Sequence, residues 1–276
     1  MTYQQRLNKH LAEYKRSTLR IVEKGVYFHR GTKHLYDHIL PTKALWLNVL
    51  EPFRDPLRSF FGKNPRLKRH RYFHHLNSSQ AFAFNLFFPY FQGDTASAAV
   101  LLRALGQTAS FKSWEPESIP VSAEETNVDV VWKTDDGITT FCEIKLSEAS
   151  FGTASEDERH LKKLRTTYGP SLTPYVDPGL LTPRRFFRSY QILRNLWQLT
   201  GSQRSVLVFL MPRANERLWR ELDVVLSGVA DELRRRVSRI ATEDVIARLC
   251  DARDCPAALA GYAEQLRAKY LLLETA

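Results

Sequence analysis

The sequence has little cysteine, three residues in 276, and little methionine, two residues. Cys142, Cys250 and Cys255 are too few, and odd in number, for a disulfide framework, which points to a reducing, cytoplasmic setting. Cys250 and Cys255 have four residues between them and no histidine nearby, so they do not read as a zinc site. Long hydrophobic runs are missing too. The most apolar window, Ala81 to Phe91, is interrupted by Asn85 and Pro89 and falls far short of the ~20 residues a membrane span needs. The N-terminal stretch has no apolar run of the kind a secretory signal needs. Internal repeats and low-complexity tracts are absent. Secreted, membrane and repeat classes are therefore not expected.

What remains is an ordinary globular composition, 43% hydrophobic and 25% charged, enough for a real core. Forty Lys and Arg against 30 Asp and Glu leave a net charge of +10, which favours a polyanionic partner. The excess is uneven. Residues 1–75 hold 16 basic and 5 acidic side chains, residues 76–150 hold 4 and 10, residues 151–212 hold 9 and 4, and residues 213–276 hold 11 and 11. An acidic middle between basic flanks suits an enzyme that holds a cation with carboxylates and a nucleic-acid backbone with Lys and Arg.

Residues 3–24 read as an amphipathic helix. Asn77 or Ser78 is an N-cap for an apolar helix from Ala81 to Phe88 that Pro89 stops. A further helix is expected over 95–105. Two runs of period-2 alternation follow, Asn127 to Lys133 and Ile138 to Leu146, joined by the turn Thr134-Asp135-Asp136-Gly137. Residues 149–181 read as a long loop with a short charged helix. Thr182-Pro183 opens a helix that Gly201 closes. Ser205 to Met211 reads as a buried strand, with helices from there to the C-terminus. This order predicts an α/β fold with helices on both faces of a small mixed sheet. Residues 1–75 form a basic extension, 76–212 the core and 213–276 a C-terminal helical part.

The hairpin carries the chemistry. Glu143 and Lys145 are two apart and share one face of the second strand, with Ile144 on the other. Asp129 lies on the first strand. A two-residue turn, Asp136-Gly137, puts residue 130 opposite 143 and turns Asp129 away. A three-residue loop, Asp135-Asp136-Gly137, puts Asp129 opposite Glu143. Both loops are common and the sequence leaves the register open. Two facing carboxylates suit Mg²⁺, and a neighbouring lysine can orient a water or offset charge on a phosphate.

Asp129 followed by Glu143-x-Lys145, on two hairpin strands ahead of a helix, resembles the PD-(D/E)XK nuclease superfamily. Asn77-Ser78-Ser79-Gln80, Asn85, Phe151-Gly152 and Tyr190-Gln191 look like a little-characterised bacterial branch of it. The resemblance implies a restriction-endonuclease-like core, helix–three strands–helix–strand, over residues 76–212. It implies Asp129, Glu143 and the Ile144 carbonyl as ligands of Mg²⁺, with Mn²⁺ also admitted, and Lys145 as the catalytic cation. Val128 stands where the superfamily name has proline. The first core helix of such enzymes often offers a glutamate, and here Gln80 stands instead, which brings Glu124 or Glu125 into consideration. A second Glu-x-Lys, Glu13-Tyr14-Lys15, sits on an expected surface helix and carries no such context.

Gln80 is either a site residue or a capping-box residue bonding back to Asn77 or Ser78. In the helix after Pro183, Phe186, Tyr190, Leu193 and Trp197 form a core stripe, with Arg184, Arg188, Gln191 and Asn195 in a row beside it. Gln191 is expected at the active site, and Arg184 and Arg188 on phosphates. Arg66, Lys68, Arg69 and Arg71, followed by Tyr72, Phe73, His74 and His75, suit a nucleic-acid backbone. His34 and His38, four apart, have the spacing of helical metal ligands but no third partner, so surface or core histidines are expected. Cys142 is a small buried hydrophobe and Asn85 a buried structural bond-former. The expected function is metal-dependent hydrolysis of DNA, with RNA not separated by sequence. The alternative is a nucleic-acid-binding or interaction module with an inactive nuclease fold. A homodimer cutting both strands is admitted by the resemblance, and no residue marks its interface.

Overall fold

The computed structural model describes residues 1–121 and 127–272. In the N-terminal third lie α1 (Tyr3–Ser17), the hairpin β1 (Gly25–His29) and β2 (Thr32–Tyr36), and α2 (Arg54–Lys63). Then come α3 (Ser79–Phe91), α4 (Thr95–Ala104), β3 (Phe111–Ser118), β4 (Val128–Thr134) and β5 (Thr139–Ile144). Short helices α5 (Glu158–Lys163), α6 (Gly169–Leu172), α7 (Pro183–Arg188) and α8 (Tyr190–Gln198) lead to β6 (Ser205–Met211). The chain continues through α9 (Glu216–Leu226), α10 (Asp231–Arg234), β7 (Val237–Ala241), α11 (Thr242–Cys250) and α12 (Tyr262–Tyr270). Among the described residues no helix is long and apolar enough to cross a membrane.

One five-stranded sheet, ordered β3-β4-β5-β6-β7, organises the molecule. Strands β3, β4 and β5 run antiparallel, whereas β6 and β7 add in parallel. A parallel neighbour needs a crossover, and α5 to α8 supply it between β5 and β6. The strands alternate faces as their sequences require. Val130, Trp132, Cys142, Ile144, Val208 and Leu210 join the core beneath α1, α3, α4, α11 and α12. Val131, Phe141, Leu207, Phe209 and Met211 join a second core with α7, α8 and α9. This is the expected α/β architecture of a restriction-endonuclease-like fold. It sets Glu143 and Lys145, which share a strand face with Phe141, towards α8.

Several elements depart from the sequence reading, each for a local reason. Helix α1 ends at Ser17, short of residue 24. Lys15, expected at a surface, is 1% exposed and donates to the carbonyls of Glu23 and Ile39. Pro89 does not stop α3, which runs on to Phe91. Proline has no N–H for the Asn85 carbonyl; the Tyr262 hydroxyl donates to it instead, at 2.8 Å. The stretch 149–181 is largely short helical turns rather than loop. The C-terminal part is not all helical, because β7 completes the sheet. His34 sits on a strand and is exposed, a surface histidine as expected, so its spacing to His38 is not that of a helix.

The helix expected over 183–200 breaks at Ser189. In a continuous helix the Gln191 N–H would reach the Phe187 carbonyl. Here Phe187 accepts from Ala154 and the Gln191 N–H donates to the Gly152 carbonyl, each at 3.0 Å. The loop after β5 is thereby stitched into the break.

Candidate active site

The β4–β5 register decides the geometry. Val130 pairs with Cys142 and Lys133 with Thr139, so Asp129 stands opposite Glu143. The three-residue loop is the one adopted, with Gly137 at φ +79°, a conformation that glycine takes without steric cost. Asp129 Oδ2 accepts the Ile144 N–H at 2.7 Å. Burial first, then the charge of Glu143, push the Asp129 carboxyl well above the usual carboxylate range, while Lys145 pulls it down.

Glu143 is 1% exposed and both its oxygens are held. Lys145 Nζ donates to Oε1 at 2.7 Å and Gln191 Nε2 to the same oxygen at 2.5 Å. Asn195 Nδ2 donates to Oε2 at 2.8 Å, with Arg194 at 3.8 Å. The Gln191 carbonyl oxygen in turn accepts from Lys145 Nζ and from the Gly152 N–H, both at 2.8 Å. A Cβ on Gly152 would lie 2.9 Å from that oxygen, so glycine lets the loop backbone come this close. Burial works against the Lys145 ammonium, but Glu143, Glu148 and Asp129 outweigh it and raise its pKa. Position 195 was visible in the sequence only as part of a helical row. The break at Ser189 and the packing of α8 on the sheet bring it to the glutamate.

Asp129 opens onto a cleft of about 1100 Å³. Glu117, Asn127, Ser147 and Glu148 line the carboxylate end, and Lys68, Arg69 and Arg71 line the cleft as well. Gln80 lies between these groups. Its carbonyl oxygen accepts the His70 N–H at 2.7 Å, and its amide donates to the Lys68 carbonyl at 3.0 Å and to Glu117 at 2.9 Å. It grips the basic loop and does not bond back to Asn77 or Ser78. Glu148 accepts the N–H groups of Leu146 and Ser147 at 2.7 and 2.9 Å. Neither Glu117 nor Glu148 had a motif to mark it. Glu124 and Glu125 lie outside the described residues.

The basic residues divide between two places. Arg69 covers the Trp46 ring at 4.9 Å and Arg71 the Tyr72 ring at 4.4 Å. Arg188 instead joins Arg185, Arg217 and Arg220 around a separate hollow of about 830 Å³, bounded by Ser150 and Thr153. Arg66 and Arg184 are exposed and line neither place. Among the described residues, no group of three or more His, Cys, Asp or Glu side chains gathers as a metal site. The site therefore offers two facing carboxylates, with Lys145 bonded to the inner one.

No curated protein and no solved structure matches this chain. A family model does, described as a restriction endonuclease associating with ARP, over residues 8–271. That span takes in most of α1, the whole sheet and α12, so the chain belongs to this restriction-endonuclease family.

Proposed function

We propose that the chain is a metal-dependent nuclease of the PD-(D/E)XK superfamily that hydrolyses phosphodiester bonds in DNA. The observation that supports this reading is the facing pair Asp129 and Glu143, with Lys145 bonded to Glu143, beside a cleft that also carries Lys68, Arg69 and Arg71. The donor set fits a hard divalent cation: the Asp129 and Glu143 carboxylates and the Ile144 carbonyl would hold Mg²⁺ or Mn²⁺. Burial, and then repulsion from Glu143, disfavour the Asp129 charge, and a cation between the two carboxylates would offset that repulsion. Such a cation supplies Lewis-acid polarisation and a more acidic water. Lys145 orients a water or offsets charge growing on the phosphate. Gln191 fixes Lys145 and Glu143 relative to each other. Gln80 holds the basic loop against the acidic end. The family's association with ARP is taken over to this chain as part of the same proposal.

A second reading rests on one observation. Glu143 is almost sealed and its Oε1 already accepts two hydrogen bonds, so metal contact at that oxygen requires Lys145 or Gln191 to yield a bond. If neither does, the chain is a nucleic-acid-binding module in which Glu143 is a structural anchor. Cleavage of supercoiled plasmid with Mg²⁺ or Mn²⁺, with EDTA, and with Lys145→Ala separates the two. Metal-dependent nicking lost in Lys145→Ala is the expected result. Plasmid left intact by a folded protein that still shifts DNA at low salt supports the module. Undiminished nicking by Lys145→Ala removes the residue assignment.

A further inference from the structure

The hairpin β1–β2 lies outside the sheet core, yet it lines the same cleft. Its register pairs Tyr27 with His34 and Gly25 with Tyr36, so Tyr27, His29, His34 and Tyr36 share one face. Their rings run in sequence: Tyr27 to His29 at 6.1 Å, Tyr27 to Tyr36 at 6.3 Å, and His34 to Tyr36 at 6.3 Å. Tyr72 continues the array, 5.3 Å from Tyr27 and 5.1 Å from His70. The hairpin is held at its base. A Cβ on Gly25 would fall 2.5 Å from the Leu40 carbonyl, and His74 Nε2 meets the Val26 carbonyl at 3.3 Å. Tyr36 is nonetheless 39% exposed.

Tyr27, Tyr36 and Tyr72 line the cleft together with Lys68, Arg69 and Arg71. Aromatic faces beside a basic track form the arrangement that binds unpaired strands, because each base has a π-face and each linkage a charge. Inside a duplex the base faces are already stacked, so rings in such a cleft have no base face to meet. Resting on the nuclease reading of this cleft, we propose that the strand entering it is single-stranded. Its bases stack on Tyr27 and Tyr36, and its phosphates lie along Lys68, Arg69 and Arg71, the last of which already covers the Tyr72 ring.

Binding of a fluorescent 12-mer deoxyoligonucleotide, single-stranded or annealed to its complement, tests this in EDTA, where turnover plays no part. Single strand is expected to bind at least about ten-fold more tightly than duplex. Tyr36→Ala should weaken single-strand binding about five-fold or more, and Tyr36→Phe should retain it. The single-stranded RNA of the same sequence distinguishes the source of the strand: preference for either single strand over duplex supports the proposal. Equal affinity for single strand and duplex, or Tyr36→Ala with unchanged single-strand affinity and an unchanged melting curve, overturns it. Single-strand preference without metal-dependent cleavage would remove the nuclease reading and leave the platform. Duplex nicking with no single-strand preference would do the reverse.

Discussion

Among the described residues, the buried polar knots around Lys145 and around Lys269 differ in charge and access. In the first, Lys145 meets Glu143, Gln191 and, through Glu143, Asn195. In the second, Lys269 donates to the backbone carbonyl and the side-chain oxygen of Asn48. Asn48 reaches the carbonyls of Phe73 and His75 at 2.7 Å, and Asn85 joins Asn48, Leu50 and Tyr270. Both knots are densely hydrogen-bonded and nearly sealed, so neither burial nor satisfaction marks a functional site. Only the first holds carboxylates, and its Asp129 reaches the cleft beside Glu117 and Glu148. Carboxylates raise the pKa of Lys145. Burial, and then the charge of Arg54, hold Lys269 well below the usual lysine range. The Lys269 knot ties the N-terminal third to α3 and α12. The Lys145 knot has a surplus of negative charge at an open edge.

The strongest way to break this contrast is to remove each ammonium in turn. Lys145→Met leaves Glu143 buried without its nearest cation, which costs about 3–5 kcal/mol in a denaturant melt. Any metal-dependent cleavage should fall by at least about two orders of magnitude. An equally stable variant would show that Glu143 is neutralised in another way. Lys269→Met strands the Asn48 side-chain oxygen but also removes an amine whose protonation burial disfavours. The loss should be at most about 1–3 kcal/mol, with cleavage unchanged.

The same pair diverges with pH. The folded-state pKa of Lys269 is lowered, so between that value and lysine's ordinary range the unfolded chain binds the extra proton. Stability then rises with pH across that window, by up to about 1.4 kcal/mol per pH unit. The folded-state pKa of Lys145 is raised. Its contribution is complete below lysine's ordinary range and is lost only as pH rises through the raised value. Melting wild type and Lys269→Met from neutral pH upward should therefore give a difference that changes with pH. A constant difference would mean that Lys269 keeps its ordinary proton affinity in the fold.

How far the sequence foretold this arrangement varies by element. The β4–β5 hairpin, β6 and the Ser78 cap were legible because their signals are local: alternation, a Gly turn, an apolar run and a side chain reaching three residues on. The parity of Glu143 and Lys145 was legible too, but the register placing Asp129 opposite Glu143 needed the turn geometry. The edge strands were not recognised as strands. β3 carries Glu115, Pro116 and Glu117, and β7 is a short segment with Arg239 within it. The break at Ser189 has no glycine or proline to announce it. It comes from Gly152 and Ala154, more than thirty residues earlier in the sequence. Glu117, Glu148 and Asn195 are ordinary polar residues until the fold gathers them.

The smallest expected effect tests the Lys269 side of the contrast through Pro89. Because proline donates no hydrogen bond, the buried Asn85 carbonyl depends on Tyr262, whose hydroxyl lies 2.8 Å away. Tyr262→Phe keeps the ring and removes that donor, at a cost of about 1 kcal/mol. Pro89→Ala restores an N–H that the helix can direct at the same carbonyl. In the Pro89→Ala background, Tyr262→Phe should therefore cost less than it does alone. A double-mutant cycle in denaturant measures the difference. Cleavage should be unchanged throughout, because this carbonyl belongs to the knot that has no carboxylate. Additive costs would show that the hydroxyl is not substituting for the missing helical bond. The persistence of α3 beyond Pro89 would then rest on the packing of Phe87, Tyr90 and Phe91 in the core beneath the sheet.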